Sequence, residues 1–218
     1  MALMADWKTI LTSPGSEDDF NLAAFVNCNN FAGAEAEGRR ALKECVRAHG
    51  SCNEEALFIL DALGTTLLTA GRGAEAEPFL REAVQIGAKV MRLPDPELKA
   101  PDGGQLRKAP ADKALALYDR LLNLGIAKLF QGRAEEARRD FARVEQVRSW
   151  GDGPGHAMTL QARAMRAIAI AEEGRLYEAS GILEGVIGGL QKADPYPSRE
   201  VYLHNAMANY DLIRMLLM

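Results

Sequence analysis

The stretch that decides the fold is Gly71-Arg72-Gly73-Ala74-Glu75-Ala76-Glu77-Pro78-Phe79-Leu80-Arg81-Glu82-Ala83-Val84. It recurs as Gln131-Gly132-Arg133-Ala134-Glu135-Glu136-Ala137 and again as Glu173-Gly174-Arg175-Leu176-Tyr177-Glu178-Ala179. A weaker copy, Asn29-Asn30-Phe31-Ala32-Gly33-Ala34, lies upstream and uses asparagine where the others use glycine. Self-similarity of this kind indicates a stack of equivalent supersecondary units, so the repeat must be recognised before any single element is assigned.

Each copy is predicted to be the turn of a helical hairpin. Gly71, Gly132 and Gly174 can adopt the left-handed conformation that ends one helix, and an acidic residue soon afterwards suits the first turn of the next helix. Small residues predict close packing between the two helices of each hairpin. They are Gly64, Gly125 and Ala167 on the first helices, and Ala76, Ala137 and Ala179 on the second helices.

The positions of the copies predict one domain, residues 1–218, made of repeats at about 16–50, 51–91, 112–150 and 155–193. The second and third repeats are separated by a proline- and glycine-rich loop at 92–111, which has no helical periodicity. Two further helices are expected around 3–12 and 199–217. Ser16, Ser51 and Ser198 are the candidate N-caps.

Composition supports an all-α chain and narrows the classes of partner. Aromatic residues make up only 6% of the sequence, while alanine, leucine, glutamate and arginine are abundant. A formal net charge of −4 argues against nucleic acid, because phosphate binding requires a concentrated basic face. No apolar run reaches the roughly 20 residues of a membrane helix, so no membrane insertion is expected. Because the number of cysteines is odd and no charged-then-apolar leader begins the sequence, an intracellular, cytoplasmic location is expected, and an organellar one stays open.

The residues that carry chemistry do not converge on an active site. His49, His156 and His204 are scattered over different elements, and Cys28, Cys45 and Cys52 lack the spacing of a zinc ligand set. No nucleophile, base and orienting group come together in the sequence. We therefore predict that the chain is not an enzyme and that it binds no metal and no cofactor.

The repeated segments resemble the tetratricopeptide repeat (TPR) family, in the long-period form found in kinesin light chains. The resemblance extends over roughly residues 16–192, and it is strongest in the second repeat, around Gly71 to Val84. It implies a right-handed superhelical solenoid of about four hairpins, with extra helices at both ends. It also implies a concave groove lined by the first helix of each hairpin, and protein recognition as its use.

Carried over position by position, the resemblance implies a partner-binding groove made of Phe58, Asp61, Thr65, Leu68, Asp119, Leu122, Asn123, Ile126, Leu129, Phe130, Gln161, Ile168 and Glu172. Only Asn123 matches the polar clamp with which some members hold a terminal carboxylate. The apolar members favour an apolar segment or an amphipathic helix, with Asp61 and Asp119 available for a basic flank. For Leu122, Leu129 and Met165, core packing is nevertheless favoured over partner contact.

Several functions remain open at this stage. The first is a non-enzymatic adaptor or scaffold that binds a peptide or helix of a protein partner in the groove. The alternative is a structural or assembly subunit of a larger complex that docks through the terminal helix or the inserted loop. The apolar end Met215-Leu216-Leu217-Met218 motivates this alternative. A regulatory module that senses a small peptide is a third possibility, although no residue specifically calls for it.

Overall fold

The computed structural model describes residues 30–96 and 111–218, which form eight α-helices and no strand. The helices are α1 (Phe31–His49), α2 (Glu54–Thr69), α3 (Gly73–Met91), α4 (Ala111–Phe130), α5 (Ala134–Gly151), α6 (Ala157–Glu172), α7 (Leu176–Lys192) and α8 (Arg199–Leu216). The predicted all-α class is confirmed. The helices expected at 3–12 and 17–28, and most of the inserted loop, lie outside the described residues.

Glycine ends the first helix of three hairpins, as the sequence predicts. Gly71, Gly132 and Gly174 have φ angles of 78°, 74° and 82°. After each glycine, an arginine N–H donates back to a carbonyl five residues earlier, as in the 2.9 Å bond from Arg72 N to Leu67 O. This bond pairs a carbonyl that the helix end would otherwise leave without a donor. The chain then reverses and enters the second helix.

The start of α2 differs from the prediction. Asn53 is the N-cap, and its Oδ1 accepts a 2.8 Å hydrogen bond from the N–H of Ala56. Its Nδ2 donates to the carbonyl of Gly50 at 2.7 Å, which joins the cap to the end of α1. Ser51 lies too early in the chain to cap this helix. Asparagine and serine cap equally well, so the spacing to Glu54 alone did not choose between them.

Close approach of the two helices in a hairpin depends on a glycine and a bulky side chain. A Cβ added at Gly64 would lie 2.4 Å from Leu80 Cδ2, and one added at Gly125 would lie 2.7 Å from Phe141 Cε1. The side chains that face these glycines are therefore Leu80 and Phe141, and the predicted close approach of the helices at Gly64 and Gly125 is confirmed. The small residue makes room for a large one.

The helices stack in chain order, each packing on the next, from α1 to α8. Direct packing also occurs between first helices of neighbouring units, α2 with α4 and α6 with α8. No two second helices among the described residues pack to a comparable extent. The first helices therefore lie on the inner, more crowded side of the stack, and the second helices lie on the outer side.

Ion pairs join neighbouring hairpins at the repeated turn. Arg72 Nη1 lies 2.6 Å from Glu35 Oε2, and Arg133 Nη1 lies 2.7 Å from Glu77 Oε1. Glu35 and Glu77 are each the fifth residue of the preceding second helix. Burial alone would raise the pKa of Glu77, but hydrogen bonds from Gln131 and Arg133 outweigh it, and the pKa is lowered. The same contact thus recurs at two successive interfaces.

The third interface uses this contact with its charges exchanged. The fifth residue of α5 is Arg138, and its Nε lies 2.6 Å from Glu173 Oε1 in the next turn. Glu173 occupies the place that Gln131 has in the preceding turn, one residue before the turn glycine. Arg175 therefore pairs with Glu173 and Glu178 on its own hairpin and does not reach the helix before it.

A buried ion pair joins the two helices of the third hairpin. Lys128 Nζ on α4 lies 2.5 Å from Asp140 Oδ2 on α5, and both side chains are 4% exposed. A buried ion pair adds little to the free energy of unfolding, because both charges lose their hydration. Removing one partner is strongly destabilising, because the other charge stays buried and unpaired. It therefore fixes how α4 and α5 align.

We expect alanine to act in opposite directions at two helical glycines. Gly64→Ala places a methyl group against Leu80, and overpacking of this kind costs about 1–3 kcal/mol. Gly181→Ala on α7 meets no atom within 4 Å and should stabilise the fold by about 0.5–1 kcal/mol through helix propensity. Urea unfolding of both variants tests this. Stabilisation by both substitutions would contradict the close approach at Gly64.

Candidate partner-binding groove

The candidate site is the first-helix face, defined here as the inner surface formed by α2, α4, α6 and α8. Of the thirteen groove residues expected from the sequence, six are buried. They are Leu68, Leu122, Ile126, Leu129, Gln161 and Ile168, each 5% exposed or less. The five apolar ones belong to the main core cluster. A first helix has neighbours before and after it in the stack as well as its own hairpin partner, so most of its apolar stripe is core.

The two acidic groove residues already have basic partners. Asp61 Oδ2 on α2 lies 2.6 Å from Arg120 Nε on α4. Asp119 on α4 accepts a hydrogen bond from Arg148 on α5, whose other nitrogen pairs with Asp152 at 2.7 Å. Asp119 still exposes 43% of its side chain and Asp61 19%, so their use by a basic flank of a partner stays a prediction in which the partner would share each carboxylate with an arginine. The pairing could not be read from helical spacing, because each partner comes from a different helix.

Some of the expected groove residues remain accessible along this face. Phe58 on α2 is 37% exposed, and Glu172 at the end of α6 is exposed. Thr65, Asn123 and Phe130 are half-buried. The Thr65 hydroxyl donates to the Asp61 carbonyl at 2.7 Å, so its methyl group is the part left for contact. The accessible surface is therefore mixed in character, with aromatic rings at Phe58 and Phe130.

A cleft lies where α6 and α8 meet on this face. A space of about 280 Å³, part of which is open solvent, is lined by four residues of each helix: Gln161, Ala164, Met165 and Ile168 on α6, and Tyr202, Asn205, Ala206 and Asn209 on α8. The cleft therefore includes two of the expected groove residues, Gln161 and Ile168. None of the eight side chains carries a charge at neutral pH.

Two amide oxygens in this cleft have no hydrogen-bond donor among the described residues. They are Gln161 Oε1 and Asn209 Oδ1, on side chains that belong to residues only 4% and 2% exposed. Asn209 Nδ2 donates to the carbonyl of Asn205 at 2.7 Å, which fixes the orientation of the amide. Each oxygen can accept a hydrogen bond from a donor outside the chain, such as water.

Aromatic side chains close one end of the cleft. The Tyr202 hydroxyl donates to Met158 Sδ at 3.2 Å, and burial raises the pKa of Tyr202 to about 12. The Tyr196 and Tyr202 rings stack with centroids 6.4 Å apart, and His156 meets Tyr196 edge-on at 5.2 Å. His156 also caps α6, where its Nδ1 accepts from the N–H of Met158. These groups hold the start of α8 against α6.

The α8 side of the cleft was missed by the sequence analysis. The sequence predicts contacts through the apolar residues Met215 to Met218 at the end of this helix, whereas the cleft is lined by Tyr202, Asn205, Ala206 and Asn209. The available signal was two asparagines four residues apart, followed four residues later by Ile213, on one stripe of the helix. Buried asparagine is uncommon enough to mark such a stripe as a candidate site.

The remaining candidate chemistry is sparse. Cys45 is buried and Cys52 is exposed, and burial raises the pKa of the Cys45 thiol. Within residues 30–96 and 111–218, no three His, Cys, Asp or Glu side chains are grouped so that they could hold a metal ion. Over the same residues, no helix combines the length and apolar character that a membrane span needs.

Comparison with known proteins agrees with this architecture. The sequence model of the tetratricopeptide repeat family matches residues 59–91. A crystal structure of TPR-like repeats described as kinesin light chain, from Podosopora anserina, superposes with a TM-score of 0.62 at 18% identity. That superposition covers 90% of this chain and 88% of the other. A variant of the same protein with one substitution gives a TM-score of 0.63 at 18% identity, over 90% and 87%.

The predicted resemblance is thereby confirmed: the chain contains a tetratricopeptide repeat and has the fold of kinesin-light-chain TPR-like repeats. No curated protein matches its sequence. At 18% sequence identity, the structural similarity shows only that the two chains share a fold.

Asp61 provides a test of electrostatics on this face. Burial raises the pKa of Asp61 to about 6, although Arg120 opposes the rise. The pKa of Asp61 is therefore higher in the folded chain than in the unfolded chain, so the folded state binds this proton more tightly. As the pH falls from about 6 to about 4, the free energy of unfolding rises, and it is lost again as the pH rises through about 6. We expect wild type to gain stability relative to Asp61→Asn over this window, measured by urea unfolding.

The control for this experiment is Asp211→Asn, which removes an exposed carboxylate on α8. This variant measures how far the loss of an exposed carboxylate alone changes the free energy of unfolding over the same pH window. A pH-independent difference between wild type and Asp61→Asn would show that Asp61 does not titrate as its burial predicts.

Proposed function

We propose that the chain is a non-enzymatic adaptor or scaffold that binds a segment of a partner protein along the first-helix face. The proposal rests on one observation, that both aromatic and polar side chains are accessible on this face. Core-forming helices there still leave Phe58, Asn123 and Phe130 accessible, beside a cleft with unpaired amide oxygens. An interface needs a few aromatic or apolar anchors and polar groups that fix the register of the bound segment.

The fold supports this proposal at a coarse level. TPR-like repeats serve generally as scaffolds for protein interaction, and this chain has that fold. A stack of hairpins presents its inner face as one extended surface, because each unit contacts only its neighbours. No nucleic acid, cofactor or metal enters the proposal. The proposal also includes a cytoplasmic location and membership of a larger complex. Both are compatible with the accessible face.

A second candidate rests on the outer surface of α8. Met215 is 71% exposed, Leu216 is 57% exposed, and Met218 is fully exposed, so the end of the terminal helix presents a row of apolar side chains to water. Exposed apolar clusters mark contact surfaces more often than isolated apolar residues do. This observation favours a structural subunit that docks through the terminal helix.

The adaptor proposal predicts selective loss of a partner when the accessible aromatic ring is removed. We expect Phe58→Asp to reduce the amount of a specific partner recovered from native lysate at least tenfold, since aromatic anchors are worth about 2 kcal/mol or more. The matched control is Tyr177→Asp, which alters an 80% exposed ring at the start of α7 on the outer side. Circular dichroism would establish that both variants remain folded.

Glutamate at Leu122 or Leu129 on the same face would not be a test of binding. Both leucines are buried, at 5% and 4% exposure, so a glutamate at either position would unfold the core. Equal recovery of one partner by wild type, Phe58→Asp and Tyr177→Asp would contradict groove binding.

The structural-subunit alternative predicts that complex formation depends on the apolar end of the terminal helix. The double variant Met215→Ser, Leu216→Ser should lose a multi-subunit complex that Phe58→Asp still recovers. Light scattering during size-exclusion chromatography should also show wild type associating at concentrations where the double variant is monomeric. If the isolated chain is monomeric and monodisperse in both forms, the terminal helix is not a docking surface.

A further inference from the structure

We propose that Arg163 and Arg166 on α6, held by Glu145 on α5, bind one carboxylate of an acidic segment of a partner protein. These three residues form the charged triad. Arg163 lies two residues from both Gln161 and Met165, and two residues turn a helix by about 200°. The triad therefore lies on the other side of α6 from the cleft that faces α8, and it is a contact surface separate from the partner-binding groove.

The geometry of the charged triad leaves several donors available. Arg163 Nε lies 2.7 Å from Glu145 Oε1, and Arg166 Nε lies 2.7 Å from Glu145 Oε2. Both arginines thus use only Nε, and no described residue accepts a hydrogen bond from their Nη groups. Arg163 is 31% exposed and Arg166 27%, so a ligand can reach these groups. Because the site is partly shielded from water, a charge-assisted hydrogen bond there is stronger than one in open solvent.

The charge balance of the triad differs from that of the ion-pair networks at two of the repeated turns. Each of those networks contains two arginines and two glutamates. The first joins Arg39 and Arg72 to Glu35 and Glu75, and the second joins Arg138 and Arg175 to Glu173 and Glu178. The charged triad has two arginines and one glutamate, which leaves one positive charge in excess. One further carboxylate would give it the composition of the turn networks.

The positions of the charged triad are apolar in the earlier hairpins. Arg163 and Arg166 lie four residues and one residue before Ala167, the small residue of α6, and Glu145 lies eight residues after Ala137. The residues at the same places are Leu60, Leu63 and Leu42 between α1 and α2, and Leu121, Leu124 and Val84 between α3 and α4. The four leucines on the first helices are fully buried. Leu42 packs against the clusters that contain Leu60 and Leu63.

Apolar residues are therefore sufficient to join a second helix to the first helix that follows it. Charged groups at the same place lose part of their hydration, and an ion pair of this kind stabilises a fold no better than well-packed apolar residues of similar volume. The structure thus gives no packing reason for charges at the α5–α6 junction. Binding of an anion accounts for both the charges and their imbalance.

The excess of one charge favours a carboxylate over a phosphate group. A carboxylate carries a single negative charge and can accept two parallel hydrogen bonds from a guanidinium group. A phosphate dianion would bring a second negative charge close to Glu145. A free carboxylic acid would bury little of its surface against two partly exposed side chains, whereas a protein segment adds contacts along α5 and α6. The chain as a whole has a net charge of −4, so the attraction is local to the charged triad.

The test uses blocked peptides of alanine and serine with one central glutamate, beside peptides whose central residue is glutamine or phosphoserine. NMR titration with the glutamate peptide should shift the side-chain Nε–H signals of Arg163 and Arg166. Glutamine at the centre should weaken binding about tenfold, because the acceptor loses its charge. Equal binding of the glutamate and glutamine peptides, or tighter binding of the phosphoserine peptide, would overturn the proposal.

A triple variant separates binding from folding. Glu145→Leu, Arg163→Leu, Arg166→Leu installs leucine at all three positions, as in the first hairpin junction. It should weaken binding of the glutamate peptide about tenfold and leave the free energy of unfolding unchanged or raised. The matched control is Arg139→Leu, which removes the same net charge at an exposed position on α5 and should bind as wild type does. Wild-type binding by the triple variant would contradict the inference.

A single variant keeps the test independent of how the triple variant folds. Arg163→Gln balances the charge of the triad and leaves Arg166 paired with Glu145, so it should also weaken the glutamate peptide about tenfold. Unchanged binding by Arg163→Gln would likewise count against the subsite. Phe58→Asp should bind this peptide as wild type does, so the result does not depend on whether the groove binds a partner.

Discussion

The distance between the two helices of each hairpin is the constraint on which the rest of the structure depends. Leu80 and Phe141 reach the backbone of the facing helix because Gly64 and Gly125 have no side chain there. Close contact within a hairpin brings the turn glycine, the turn arginine and the following first helix into the same place in every unit. The ion pairs between units and the inner face can repeat only because this spacing repeats.

The same close packing decides what the inner face can offer a partner. The first helices are surrounded so fully that their leucines and isoleucines are used for folding, and only certain aromatic and polar side chains remain accessible. The acidic groups are likewise paired, Asp61 with Arg120 and Asp119 with Arg148. The least crowded part of the face lies at α8, which rests mainly on one neighbour.

Much of the fold could be predicted from the sequence, because a glycine with a positive φ angle and a small residue opposite a bulky one are local requirements. The helix class and the turns at Gly71, Gly132 and Gly174 follow from such patterns. The N-cap at Asn53 shows the limit of that reasoning, since two good caps lay close together. The candidate site was less predictable: which leucines are buried depends on the next hairpin, and the Asp61–Arg120 pair joins helices that are distant in the chain. The cleft was harder still to predict, because α6 and α8 form it together.

The charge exchange at the third interface gives the repeats a fixed order. If recombination duplicated the third hairpin, Arg133 of the new copy would meet Arg138 of the old one, where it now meets Glu77. Two like charges would then lie at a contact that elsewhere joins opposite charges, although the helices themselves would still stack. Repeats of this chain are therefore not interchangeable modules. Duplication of the third hairpin would therefore require a compensating charge change, whereas duplication of the second would place Arg72 of the copy beside Glu77 and keep opposite charges in contact.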